Sequence, residues 1–220
     1  MERKKLSAQA LYENCLLAAA EHALYVLKHP YFAFEQSWDG NNYSFAIGTV
    51  RGTISFDLEN DIFAGAVRQD DSARCKLYPD YDAMTYFEQA PDSVKALAEQ
   101  ETIQYLFDEV DGVEKPMITA AFWGADGELF IPDAPNDFCT HGGEYPTLLC
   151  GEAEAVWQYW LKQYELRREE QRLADYIFQH CRVGNKLLNQ KEMKKICKIK
   201  GKEPGYNAYL ESHAEMGLSW

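Results

Sequence analysis

YSFAIGTVRGTISFDLENDIFAGAVR, residues 43–68, is the stretch whose reading decides the fold. Its apolar residues recur every second position. Tyr43, Phe45 and Ile47 fall on one side; so do Ile54, Phe56 and Leu58, with Thr53, Ser55 and Asp57 opposite. A period of two is that of a strand with distinct faces. Turn residues separate the runs: Gly48-Thr49, then the acidic Glu59-Asn60-Asp61. Short strands broken by such turns predict an antiparallel meander.

Upstream, YFAFEQSW (31–38) alternates Phe32, Phe34, Gln36 and Trp38 against Tyr31, Ala33, Glu35 and Ser37, which predicts a further strand. Asp39-Gly40-Asn41-Asn42 then supplies the residue types that a tight hairpin requires at positive φ. Residues 7–28 read as a helix, because Leu11, Cys15, Ala18, His22 and Tyr25 recur at helical spacing. Ser7 suits its N-cap, and His29-Pro30 ends it.

Downstream, residues 81–108 predict one or two helices broken at Pro91. PMITAAFWGADGELFIPD (116–133) predicts a hairpin turning at Ala125-Asp126-Gly127. Residues 132–151 read as a Pro/Gly-rich loop. A single helix is expected from about 152 to 181, and two short helices over 185–213, with Asn189 and Glu192 as a capping box and Gly201 as a stop. The fold class expected is α+β: an antiparallel sheet of about six strands, a meander plus a hairpin, with helices packed on one face and a small helical C-terminal appendage. The domain reading is a body over 1–181 and a basic two-helix appendage over 182–220.

Composition narrows the function. The 220 residues carry a net charge of −13. The charge is uneven: residues 181–220 hold 8 Lys+Arg against 4 Asp+Glu, and the rest is strongly acidic. An acidic body disfavours nucleic acid and anionic membranes as general partners. No apolar run reaches the roughly 18 residues of a spanning helix, and the N-terminal stretch reads as an amphipathic helix, not a signal. Six scattered cysteines without a Cys-x-x-Cys pair suit free thiols and a cytoplasmic setting. Phosphate-loop, dinucleotide, nucleophile-elbow and His-Glu-x-x-His motifs do not occur. No cofactor and no catalytic residue is expected.

Three chemistries compete. Asp137, Cys139, His141 and Cys150 gather donor atoms in one loop; if it were extended, Cys139 and His141 would project to one side as weak metal ligands. The spacing lacks the pairs that mark zinc sites, and a Cys139 nucleophile with His141 as base would draw both partners from one segment, where catalytic partners normally come from separate ones. Asp57, Glu59 and Asp61 imitate a calcium loop, but Ile62 and Arg68 stand where its Gly and Glu belong. Seven lysines between 186 and 202, followed by Tyr206 and Asn207, imitate a DNA-reading helix pair. The reading preferred is a module that binds another protein, as an immunity or inhibitor-type antagonist, with a basic partner suited to the acidic body. Trp38 and Tyr43 would anchor it, and Asp39, Asn41, Glu59 and Asp61 would steer the partner.

Overall fold

Ser7 starts the first helix as expected: its Oγ accepts the Ala10 amide at 3.2 Å. In the computed structural model, which describes residues 2–77, 82–110, 112–182, 187–199 and 202–219, the chain begins with β1 (Glu2–Lys5) and α1 (Ala8–Lys28). A 3₁₀ turn (Pro30–Glu35) leads to β2 (Gln36–Asp39), β3 (Asn42–Ile47), β4 (Val50–Asp57) and β5 (Ile62–Gln69). Two 3₁₀ turns (Ala73–Leu77, Ala83–Phe87) precede α2 (Asp92–Gln100), and another (Thr102–Tyr105) follows it. Then come β6 (Phe107–Val110), β7 (Val113–Pro116), β8 (Ala120–Ala125) and β9 (Glu128–Ile131). Helical segments close the chain: α3 (Pro135–Phe138), a π-turn (Cys139–Gly143), α4 (Glu144–Leu149), α5 (Ala153–Tyr164), α6 (Arg168–Arg182), α7 (Gln190–Ile196) and α8 (Tyr206–Glu215).

The fold is α+β. The main sheet is antiparallel with seven strands rather than about six, ordered β1-β9-β8-β5-β4-β3-β2, and β6 and β7 form a separate ribbon. The meander is present, and the β8–β9 hairpin turns on Asp126 and Gly127, both at positive φ. The extra strands, β1 and the β6–β7 ribbon, are short and charged, so they carry no alternation to read.

Two compact units divide the chain. Unit 1 comprises 1–12 and 41–150, and unit 2 comprises 13–40 and 151–220. These limits fall at positions other than 181/182, since residues 151–220 gather with 13–40.

In unit 1 the strand register sorts the core into two faces. Tyr43 pairs with Ile54, Ile54 with Gly65, and Phe56 with Phe63, which puts these side chains on one face. Phe122 joins them 6.3 Å from Phe63, and Phe138 lies 6.0 Å beyond. The rings lie across glycines: a Cβ on Gly65 would meet Phe122 at 2.2 Å, and one on Gly124 would meet Phe63 at 2.0 Å. Residues 132–151 cover this face because they are helical, not a loop. Phe138 packs from α3, and from α4 the Tyr145 hydroxyl meets that of Tyr43 at 2.7 Å.

The other face is lined by Ala64, Ala66, Ala121 and Trp123. It packs against Phe87, Val94, Ala98 and Ile103 from α2 and its flanking turns. Alanines there let a helix approach closely. Helical segments therefore pack on both faces of this sheet, and the single covered face expected from sequence gains a second cover.

In unit 2 the single helix expected over 152–181 is two helices, α5 and α6. Glu165 takes a left-handed φ of 47° between them. The restart has a local cause: Glu170 Oε2 accepts the Arg167 amide at 2.8 Å, a side chain three residues into α6 reaching back to its cap. At α7 the expected cap is present, Asn189 accepting the amides of Lys191 and Glu192. Gly201, the expected stop, lies outside the described residues.

Candidate functional site

The alternation of 31–38 is real in the sequence, but only its end pleats: Gln36–Trp38 enter β2, while Pro30–Glu35 wind into the 3₁₀ turn. Tyr25 and Val26 carbonyls accept the His29 amide, Pro30 follows, and Phe32 N donates to His29 O at 3.1 Å. Pro30 fixes φ and withholds an N–H, which favours a turn start over a strand. In a 3₁₀ turn, residues three apart share an edge. Tyr31 and Phe34 share one and are 87% and 70% exposed; Phe32 is 38% exposed. Three aromatic side chains within four residues thus face solvent.

The turn rests on a stacked column of rings in unit 2. Phe32 lies 5.6 Å from Tyr25, Tyr25 stacks on Tyr164 at 4.4 Å, and Tyr164 stacks on Trp160 at 4.6 Å. Hydrogen bonds lock the column. The Tyr164 hydroxyl takes the Gln36 amide at 3.1 Å and meets His22 Nδ1 at 2.9 Å. Burial pushes His22 down to about 4, so it is neutral and accepts. His22 is a core residue, as its place on the helical stripe implies.

Acidic groups of unit 2 belong to the same neighbourhood. Glu35 ends the turn, and burial raises its carboxyl above the usual range. Glu215 of α8 accepts the Trp38 amide at 3.2 Å. Its carboxyl is raised by burial first, opposed by that hydrogen bond, and raised further by the charges of Glu211 and Asp39. Glu35, Asp39, Glu211 and Glu215 thus give the exposed rings an acidic rim.

Of the six residues expected to bind, only Asp39 joins this patch. Trp38 and Tyr43 are buried. Each ring is already covered, so neither offers an anchor on the surface. Asn41 and Glu59 are exposed on turns of unit 1. Asp61 is structural: at φ 51° its Oδ1 accepts the Ala8 amide at 2.7 Å, capping α1. His29-Pro30 signals a break before the strand, but which rings of the turn face solvent, Tyr31 and Phe34, is set by packing and not by that pair.

The loop of donor atoms does not converge. Because 135–149 is helical, Cys139 and His141 leave the backbone in different directions. Asp137 is exposed on α3. Cys150 is buried, and burial pushes its thiol up to about 12. Among the described residues no group of three or more His, Cys, Asp or Glu is arranged to hold a metal ion. His141 instead meets Ser72 from a distant segment, Nδ1 to Oγ 2.7 Å. Ser72 Oγ also accepts the Arg74 amide at 3.2 Å. Burial and the Arg74 charge lower the His141 pKa from its ordinary value. Thr119 Oγ1 donates to the His141 carbonyl at 2.7 Å. The pair holds the bent backbone on which Gly142 takes φ 104°.

In the tail, Lys191, Lys194, Lys195 and Lys198 are exposed, while Lys186 and Lys200 lie outside the described residues. Helix α8, the would-be reading helix, shows Asn207 near its start but carries Glu211, exposed, and Glu215. Those charges repel phosphate. Among the described residues no helix is long and apolar enough to cross a membrane. Comparison of the chain with known protein families, curated proteins and solved structures finds no match.

Proposed function

We propose that this chain acts by binding another protein through the aromatic turn Pro30–Glu35, as an immunity or inhibitor-type antagonist of a basic partner in the cytoplasm. One observation carries the reading. Tyr31, Phe32 and Phe34 stand in solvent on a turn braced by stacked rings. Exposed aromatics on a rigid support are what interface centres are made of, because they bury much area for little lost side-chain freedom. The rim of Glu35, Asp39, Glu211 and Glu215 sets the sign of the partner, by complementary charge. An acidic chain that meets a basic surface also associates quickly, which suits an antagonist.

The test uses the full chain as bait in extract of its source cells, followed by titration of the purified prey. The reading expects a basic protein whose affinity falls with added salt. Tyr31→Ala with Phe34→Ala should weaken that complex about 30-fold or more, the loss of roughly 2 kcal/mol typical of an anchor. Replacing Tyr105 and Phe107, exposed rings of unit 1, should leave it unchanged. A prey held equally by the Tyr31/Phe34 variant overturns the reading.

A further inference from the structure

Unit 1 contains a cleft of about 330 Å³ beside the end of β9 and the helices α3 and α4. Its floor is apolar, made by Leu129, Ile131, Pro135 and Phe138. Its wall carries Lys4, Asp133, Cys139 and Thr147. Most of these polar groups are already engaged. Asp133 offers both carboxylate oxygens to the Arg74 guanidinium, at 2.7 and 2.8 Å. Thr147 Oγ1 donates to the Gly143 carbonyl at 2.7 Å, so it presents only lone pairs. Cys139 Sγ lies 3.9 Å from that hydroxyl.

Lys4 is different. Its ammonium donates one hydrogen bond, to the Cys150 carbonyl at 3.1 Å. Among the described residues no carboxylate pairs with it. Two N–H donors and a full positive charge therefore remain beside an apolar floor, held in place by a backbone carbonyl. An apolar concavity of this size with few convergent polar groups is the usual form of a small-molecule site. The uncompensated charge fixes the sign of the ligand, and the pinned ammonium lowers the ordering cost of binding.

We propose that this cleft binds a small apolar carboxylate. Its tail lies along Leu129, Ile131 and Phe138, and its carboxylate meets Lys4. The site is independent of the aromatic turn, which belongs to unit 2.

Octanoate, octanol and octylamine, titrated into the full chain by calorimetry, test the assignment, with iodoacetamide labelling of Cys139 as a second readout and Cys139→Ser as its control. Octanoate should saturate one site and slow the labelling, whereas octylamine should do neither. Lys4→Met should weaken octanoate ten-fold or more and leave octanol unchanged. Ile131→Trp, which fills the cleft, should remove both ligands. Lys4 is an exposed side chain, so its variant keeps the test open even if Ile131→Trp does not fold. Unsaturable octanoate binding, equal binding of octylamine, or a Lys4→Met variant that binds octanoate as tightly as the parent overturns the proposal.

Discussion

Unit 1 and unit 2 bury polar groups in different ways. The fully buried polar side chains of unit 1 are neutral, and several of them are hydrogen-bonded, though Ser55 Oγ is not. Thr102 Oγ1 donates to Ala64 O at 3.4 Å, and the Tyr43 and Tyr145 hydroxyls meet at 2.7 Å. Unit 2 buries groups that titrate: Glu21, His22, Glu170 and His213. Glu170 is satisfied by Lys28 and Arg167, but neither Glu21 oxygen has a hydrogen-bond partner. The lesson is that two units of one chain answer to different variables. A sheet ladder with neutral hydroxyls is indifferent to pH, whereas a helical unit with buried acids and imidazoles is not.

The largest effect expected separates backbone obstacles from side-chain ones. A Cβ on Gly205 would meet the Val26 carbonyl oxygen at 1.9 Å, and the Gly205 amide donates to Leu27 O at 3.1 Å. A carbonyl inside a helix cannot turn away. Gly205→Ala should cost about 3 kcal/mol or more in denaturant unfolding. Gly124→Ala in unit 1 meets the Phe63 ring first, a side chain and not backbone, and should cost about 1–3 kcal/mol. A smaller loss at Gly205 than at Gly124 would break the comparison.

Next in size is the pH response of unit 2. Burial raises Glu21 to about 9, against an ordinary 4.5 when unfolded. Between those values the folded chain keeps a proton that the unfolded chain releases, so stability declines as pH rises from 4.5 to 9. Burial lowers His22 to about 4 and His213 to about 3, against an ordinary 6.5. Below 6.5 the unfolded chain binds protons that these two refuse, so stability declines as pH falls. Between 4.5 and 6.5 the two histidines outweigh the one acid, which puts the stability maximum near pH 6.5. Glu21→Gln should stabilise by about 2 kcal/mol at pH 8 and by nothing below pH 4.5, moving the maximum upward. Urea titrations across pH 4–9 measure it, and a pH-independent gain would contradict the assignment.

The smallest effect sharpens the same contrast. Glu170→Gln removes a buried carboxylate that binds Lys28 at 2.7 Å and Arg167 at 2.6 Å. Both cations are partly exposed, so solvent recovers much of the loss, and about 1–2 kcal/mol is expected. The hydrogen bonds hold the Glu170 carboxyl below its ordinary range against the opposing effect of burial. Its contribution should therefore fade as pH falls below about 4.5. Asp133→Asn in unit 1 gives the comparison, with Arg74 retaining Thr119 O at 2.7 Å. Thermal melts of both variants at pH 7 and pH 4 should show the Glu170 deficit shrinking at the lower pH.

Much of the fold was legible where one periodicity stood alone. Over 43–58 the meander carries period two between its turns, and α1 carries helical spacing with Ser7 before it and Pro30 after it. Legibility failed where two signals overlapped. In 31–38 the alternating aromatics promised one strand, but Pro30 set the geometry of the first half as a 3₁₀ turn and exposed Tyr31 and Phe34, leaving only Gln36–Trp38 to enter β2. Over 152–181 a shared apolar stripe concealed the break at Glu165, whose cause is a side-chain bond from Glu170 to a neighbouring amide. Prolines and glycines in 132–151 suggested a loop, yet Pro135 sits at a helix start and Gly142 at a kink, both compatible with helix on either side. The cleft beside β9 was invisible, because Lys4 is separated from its other lining residues by more than a hundred positions.

The alternation of units along the chain has a bearing on synthesis. Residues 13–40 emerge early, but their partners in unit 2 begin only at 151. At ordinary ribosomal speeds the whole of 41–150 must be made in between, roughly ten seconds of waiting. During that interval the apolar flank of α1, with Leu16, Leu24 and Leu27, is exposed to whatever else the emerging chain meets, and a chaperone or a second nascent copy would find it before its own C-terminal helices do.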